Sequence, residues 1–229
     1  MSPNARLRRS NDPNPVRLKG TTMHTVFLDR DGVINENRVD HVKSWQEFVF
    51  LPGALAALRW LNLAGFRVFV ITNQAIVGRG IVPARVIDEI HARMQVQVAL
   101  HGGQIHDIRY CPHDDHEQCD CRKPRPGMVR DLASRWRVDL ARAYLVGDAW
   151  SDIAAGRAMG IRSILVRTGR GAQQIARPEL QHYPPDHIAN DLLGAVAWIM
   201  HQEEVALARR DVAQPLYERS VGASLFSIQ

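Results

Sequence analysis

Two aspartates one residue apart, Asp29 and Asp31 in "FLDRDGVIN", close a run of apolar residues and are followed at once by Gly32. Carboxylates this close can share one hard cation such as Mg²⁺, and with the cation bound each is free for a separate task. One can attack phosphorus to form an acyl phosphate while the other moves protons. An ordinary strand followed by an Asp-Gly turn is spelled the same way, so the pair needs partners to carry meaning. "LVGDAWSD" supplies Asp148, placed to complete a cation site, and Asp152, placed to support that site or to cap a helix. "VITNQ" ends another apolar run on Thr72, Asn73 and Gln74, whose hydroxyl and amide groups can hold a polar ligand.

The three cysteines of the chain all fall within "CPHDDHEQCDCRKP". Cys111, His113, Cys119 and Cys121 form a Cys₃His set for tetrahedral Zn²⁺, and a site closed by four protein ligands is structural. Its work would be to knot a loop too short and polar to have its own core. The knotted loop would then deliver Arg122 and Lys123, which follow at once. A Cys119–Cys121 disulfide, or His116 in place of His113, is the competing arrangement.

These groups need a scaffold, and the chain alternates strand-like and helix-like patterns to provide it. Short β-rich runs at 24–29, 66–72, 105–111, 142–148 and 162–168 interleave with helical patterns at 53–65, 83–103, 127–136, 151–160 and 190–200. Such alternation predicts an α/β fold, a Rossmann-like parallel sheet with helices on both faces, in one domain over 23–202. Asp29, Thr72 with Asn73, and Asp148 then stand at the carboxyl ends of three strands, where open parallel sheets bind ligands. An aspartate ending a buried apolar run is costly unless it meets a cation or hydrogen-bond donors.

The net charge of +5 is unevenly spread. Arg6, Arg8, Arg9, Arg17 and Lys19 face Asp12 alone in residues 1–22, a Pro- and Asn-rich stretch without hydrophobic period, read as a disordered leader. Met23 is a candidate start of translation. Residues 203–229 are polar and mixed, and are expected to be a partly disordered tail. A zinc-knuckle nucleic-acid-binding protein would use the leader's charge, yet the cysteine loop carries Asp114, Asp115 and Glu117 and no aromatic residue to stack on bases. The chain has no apolar run of about 18 residues, and no apolar segment follows the N-terminal arginines as in a secretory signal. Clustered thiols fit a reducing cytoplasm. We expect a monomer with neither a nucleic-acid nor a membrane partner.

Taken in order, "FLDRDGVIN", "VITNQ", "RKP" and "VGDAWSD" resemble the motifs of the haloacid-dehalogenase (HAD) superfamily of phosphatases over about residues 24–200. The resemblance implies Asp29 as nucleophile, Asp31 as general acid/base, and Thr72 with Lys123 on the phosphoryl group. It implies Mg²⁺ on Asp29, the Asp31 main-chain carbonyl and Asp148. It also implies substrate contacts from Asn73, Gln74 and Arg122. A zinc loop just ahead of the RKP lysine is similar to a subgroup holding heptose-bisphosphate and histidinol-phosphate phosphatases. "TNQAIVGRG", "CRKPRPGM" and "VKSWQEFVFLPGA" look more like the heptose enzymes. The five-residue gap between His113 and Cys119 is a form that also resembles the histidinol-phosphate enzymes, and Ala149 stands where the heptose enzymes often have a lysine. No segment between the motifs is long enough for a large cap domain, so a phosphorylated sugar is the expected partner of an open site.

Overall fold

The apolar runs become strands β1 (Thr25–Leu28), β2 (Arg67–Asn73), β3 (Asp107–Cys111), β4 (Ala143–Gly147) and β5 (Arg162–Val166), followed by a short β6 (His187–Ala189). This is a computed structural model. It describes residues 23–213, with 207–213 by backbone alone; the expected leader at 1–22 and the end of the tail at 214–229 lie outside the described residues. The strands form one sheet in the order β3-β2-β1-β4-β5-β6, and every neighbouring pair is parallel.

Side chains alternate between the two faces of each strand, and the sequence uses both. Val26 and Leu28, Val68 and Val70, Tyr144 and Val146, and Ile164 and Val166 point to one face. There they pack under helices α1 (Ala54–Leu63) and α2 (Ala84–Leu100) and the long C-terminal helix. Phe27, Phe69, Ile71 and Leu145 point to the other face, against α3 (Gly127–Trp136). Leu165 on that face meets Ile153 of α4 (Trp150–Arg157). Two short helices, α5 (Gly171–Gln174) and α6 (Glu179–His182), complete the edge beside β6. Residues 33–52 form a loop with a 3-10 turn at Trp45–Glu47, pinned by stacking of Trp45 on Phe48 at 5.1 Å. Among the described residues no large cap covers the sheet, and no helix is long and apolar enough to cross a membrane.

The fold departs from the sequence reading at its C-terminal end. Helix α7 (Leu192–Ala213) continues well past residue 200, so the boundary expected at 202/203 falls inside a helix. Its polar continuation is held by tertiary contacts. Glu203 accepts hydrogen bonds from the Tyr144 hydroxyl and from Arg162 Nη2 at 3.0 Å, and its other oxygen lies 3.2 Å from His24 Nδ1. The Arg162 guanidinium also lies 4.1 Å over the Tyr144 ring. Burial, and then the Glu203 carboxylate, push the Tyr144 phenol upward. β6, α5 and α6 went unread because three- and four-residue elements have no measurable period.

Glu203→Ala leaves the buried Tyr144 hydroxyl without its acceptor. It should lower unfolding free energy by about 1–3 kcal/mol, seen as a lower urea midpoint at constant m-value. Glu204→Ala, at an exposed position, should stay within about 0.5 kcal/mol of the parent. Equal effects at the two sites would show that Glu203 does not anchor the helix.

Candidate active site

Strand order reverses between β1 and β4, and in such sheets the crevice beyond the carboxyl ends opens there. Asp29 is the first residue past β1, and its N–H donates to the Val146 carbonyl of β4 at 2.9 Å. Asp148 is the first residue past β4, so the two carboxylates are neighbours by register; Asp29 is 5% exposed and Asp148 fully buried. Gly32 makes this approach possible. It has φ +83°, and a Cβ there would sit 2.2 Å from Asp148 Oδ2.

Lys123 joins the aspartates. Its Nζ lies 2.9 Å from Asp29 Oδ1 and 2.6 Å from Asp152 Oδ1, and donates to the Ile71 carbonyl at 2.8 Å. Asp152 also accepts the Ala149 N–H at 3.1 Å, which opens α4. Burial pushes the Asp29 carboxyl up to about 7; Lys123 pulls it down, while Asp152, Asp148 and Asp31 add to the rise. Burial and then Asp152 raise Asp148 to about 6, opposed by Arg170. For Lys123, burial disfavours the charge, but Asp152 and Asp29 outweigh it and hold the ammonium protonated. Asp29, Asp148 and Asp152 bring carboxylate oxygens within 4.8 Å of one another, an all-oxygen group suited to a hard cation. Asp152, read from the sequence as a cap or support, is thus inside the cluster.

The Asp31 carboxylate turns away from that cluster. Its Oδ1 accepts from Arg30 Nη2 and Asn35 Nδ2, each at 2.8 Å, and its Oδ2 from Arg30 Nη2 at 2.9 Å and Gln74 Nε2 at 2.8 Å. Burial alone would raise its pKa, but Arg30, Asn35 and Gln74 together hold it below the ordinary carboxylate value. Any share Asp31 has in a cation site therefore falls to its main-chain carbonyl.

Of the two amides expected to touch substrate, Asn73 lines the cleft, whereas Gln74 lies beneath it. Gln74 is buried, and its amide hydrogens go to Asp31 and to Thr72 Oγ1 at 2.9 Å. Asn73 grips the main chain of Lys123, donating to its carbonyl and accepting its N–H, both at 3.1 Å. These amides set the positions of Asp31, Thr72 and Lys123, which line the cleft.

The cysteine loop leaves β3 at Cys111. Ligand atoms of Cys111, His113, Cys119 and Cys121 lie within 4.8 Å of one another, with sulfur–sulfur distances of 3.3 to 3.4 Å. The thiols are free, which removes the disulfide alternative, and His113 turns Nδ1 to Cys121 Sγ at 3.2 Å. His116 has an 81% exposed side chain outside the group. Four ligand atoms so grouped suit a closed tetrahedral Zn²⁺ site, whose ~2.3 Å Zn–S bonds imply edges of ~3.8 Å. The loop also touches the segment after β2: Gly78 N donates to the Pro112 carbonyl at 2.9 Å, and a Cβ on Gly78 would meet that oxygen at 2.6 Å.

Above the carboxylates lies a cleft of about 820 Å³ lined by Arg38, Arg79, Arg122, Arg125 and Arg170. Arg122 bonds Asp115 through Nε and reaches the His113 carbonyl at 3.3 Å; Arg79 is held by Asp114 at 2.6 Å. Arg170, missed in the sequence, gives its N–H to Asp148 Oδ2 at 2.8 Å and brings its guanidinium to 3.5 Å. It is a cation beside Asp148 where Ala149 offers none. Arg30 and His91 were missed as well. Arg30 is fully buried behind Asp31, and its Nη1 lies 3.1 Å from His91 Nε2.

Residues 120–195 match the HAD-hydrolase-like family model. A D-glycero-beta-D-manno-heptose-1,7-bisphosphate 7-phosphatase from Pseudomonas putida is 41% identical over 155 residues, 68% of this chain and 89% of that protein. One from Neisseria meningitidis is 38% identical over 182 residues, 79% of this chain and 96% of its own length. The crystal structure of the D,D-heptose 1,7-bisphosphate phosphatase from B. bronchiseptica, complexed with magnesium and phosphate, superposes with a TM-score of 0.73 at 37% identity, covering 79% of this chain and 99% of that one. By sequence, fold and the site just described, this chain belongs to the heptose-1,7-bisphosphate 7-phosphatase family of HAD-like hydrolases.

Proposed function

We propose that this chain hydrolyses the 7-phosphate of D-glycero-D-manno-heptose 1,7-bisphosphate, leaving the 1-phosphate, through a phosphorylated Asp29. One observation carries the substrate reading: five arginines line the same cleft as the lysine-anchored carboxylates. A single phosphate would be served by the floor alone. A second, remote dianion needs cations at the mouth, and planar guanidinium forks suit it. Histidinol phosphate would instead want free carboxylates there. Asp40, in the loop that follows the Asp29–Asp31 turn, is already held by Arg38 at 3.1 Å and Lys43 at 2.6 Å.

Mg²⁺ would be held by the Asp29 and Asp148 carboxylates and the Asp31 carbonyl. The fit rests on buried oxygens raised in pKa by burial and by one another, in space that Gly32 keeps clear. When bound, the cation neutralises phosphoryl charge and relieves the repulsion between these carboxylates. Asp29 Oδ1, fixed by the Arg30 N–H at 2.7 Å, is the neighbour of Lys123, so its other oxygen is available to attack phosphorus. Lys123 and the Thr72 hydroxyl bind phosphoryl oxygens. The P–O bond to the sugar breaks as the Asp29–phosphorus bond forms, and the sugar oxygen takes a proton from Asp31, brought in with the substrate monoanion. In the second half Asp31, again a carboxylate, accepts a proton from the water that attacks phosphorus, which frees Asp29 and inorganic phosphate. Free thiols support a cytoplasmic setting, and we take the chain to act as a monomer without nucleic acid or membrane.

Purified protein should show kcat/KM for the heptose 1,7-bisphosphate at least about 100-fold above that for histidinol phosphate, a barrier difference of ~2.7 kcal/mol. Asp29→Asn serves as the blank. A preference for histidinol phosphate would overturn the assignment.

Protons and Mg²⁺ compete for the same oxygens. Metal-free, the raised carboxylates favour the protonated fold, so their contribution to stability is largest at low pH and is lost as pH rises through about 6 and about 7. Mg²⁺ should therefore raise Tm more at about pH 8 than at about pH 5.5. Equal increments at both would show that these carboxylates do not hold the ion.

Zinc should be found at about one ion per chain by elemental analysis. Stripping it under denaturing chelation should leave protein with lower Tm and lost turnover that added Mg²⁺ does not restore, because the loop carrying Lys123 is then unknotted. Normal Tm and turnover without zinc would refute that role.

A further inference from the structure

We propose that Arg30 and His91 are positioning residues that lock the Asp31 carboxylate in the orientation proton transfer requires, His91 acting as a neutral hydrogen-bond acceptor for the buried guanidinium. This rests on Asp31 being the group that moves protons. Arg30 has no exposed surface. Its Nε and Nη2 both face Asp31, at 3.2 and 2.8 Å from Oδ1, which spends one side of the guanidinium on the carboxylate. Its Nη1 lies 3.1 Å from His91 Nε2.

A guanidinium is always charged and only donates. The histidine nitrogen facing it must therefore accept, which leaves Nε2 bare and puts the ring proton on Nδ1. Burial, and then Arg30 itself, push His91 down to about 3, so the ring stays neutral. Its place is fixed from both sides: α2 buries it beside Ile87, Ile90 and Met94, and Tyr110 meets its ring edge-on at 5.6 Å. Removing the acceptor would orphan an N–H of a buried cation, a costly state that the guanidinium relieves by rotating. Rotation would break its side-on grip on Asp31.

Leucine at position 91 keeps bulk but has no acceptor; glutamine can bring an oxygen close to where Nε2 stands. At saturating Mg²⁺, His91→Leu should lower kcat on the heptose bisphosphate by about 10- to 100-fold with KM within about threefold, the range expected when one proton-transfer group is misplaced. For p-nitrophenyl phosphate, whose leaving group needs no proton, kcat/KM, which runs only through phosphoryl transfer to Asp29 and precedes the water step, should be largely spared, while kcat/KM on the heptose bisphosphate falls. His91→Gln should recover kcat to within about threefold of the parent. Unchanged kcat in His91→Leu, equal loss in the Leu and Gln variants, or equal loss of kcat/KM on both substrates would overturn the inference. Nitrogen NMR of the unmutated protein gives an independent reading should the Leu variant fail to fold. The Nδ1–H tautomer supports the pair, and an Nε2–H tautomer or an imidazolium at neutral pH refutes it. Asp31→Asn on the same two substrates separates the underlying reading: without leaving-group dependence there, Asp31 itself is misassigned; with it, a silent His91→Leu sinks only the positioning pair.

Discussion

The Lys123 ammonium, set between Asp29 and Asp152 where all three side chains are buried, is the interaction on which this site depends. Three carboxylates at the end of a parallel sheet could not be buried together without it, because uncompensated charge in the interior costs several kcal/mol per ion. The lysine is no accident of a surface loop. Its main chain is gripped by Asn73 at the end of β2, its ammonium is capped by the Ile71 carbonyl, and its loop springs from β3 through the cysteine cluster. One cation thus ties strands β1, β2 and β3 to the start of α4.

Much of this was legible in the sequence, for identifiable reasons. Continuous apolar runs such as "FRVFVIT" can only be buried strands, and their polar ends marked the working edge before any coordinate did. Cys111, His113, Cys119 and Cys121 were legible because their spacing fits four ligands of one ion. What escaped was long-range partnership. The grip of Asn73 on the Lys123 main chain and of Gln74 on Asp31 went unread, since a strand-end amide reads the same whether it faces a ligand or a neighbouring residue. His91 did leave a trace, one polar residue in the buried Ile87, Ile90, Met94, Val98 stripe of α2, but nothing local said that its partner lay 61 residues earlier. Glu203 escaped for the same reason: a polar helix end reads as a tail until Tyr144 is seen beneath it.

The two aspartates of the opening motif show how one turn yields two chemistries. Asp29 sits where burial and neighbouring carboxylates raise its proton affinity, and only cations offset them. Asp31, two residues on, is surrounded by donors, and its proton affinity falls. The divergence comes from Arg30 between them, whose side chain faces Asp31 while its N–H serves Asp29. The roles we propose, Asp29 as a nucleophile beside a cation and Asp31 as a group that exchanges protons, call for such different surroundings.

With no large cap among the described residues, the cleft is open, and its rim shows how ligand-binding side chains can be held in place without enclosure. Arg79 and Arg122 are each paired with an acid of the zinc loop, Asp114 and Asp115. Exposed pairs of this kind add little to stability, typically under ~1 kcal/mol, so their value lies elsewhere. The acids hold two flexible side chains at the rim of the cleft before substrate arrives, which reduces the ordering entropy lost on binding. They also compete with an incoming ligand, and a dianion displaces them more readily than a neutral hydroxyl or an amine does. The loop that carries the Cys₃His cluster holds the acids, the acids hold the arginines, and the same loop holds Lys123. In the reaction we propose, recognition of the remote end of the substrate and anchoring of its reacting end would therefore share this one segment.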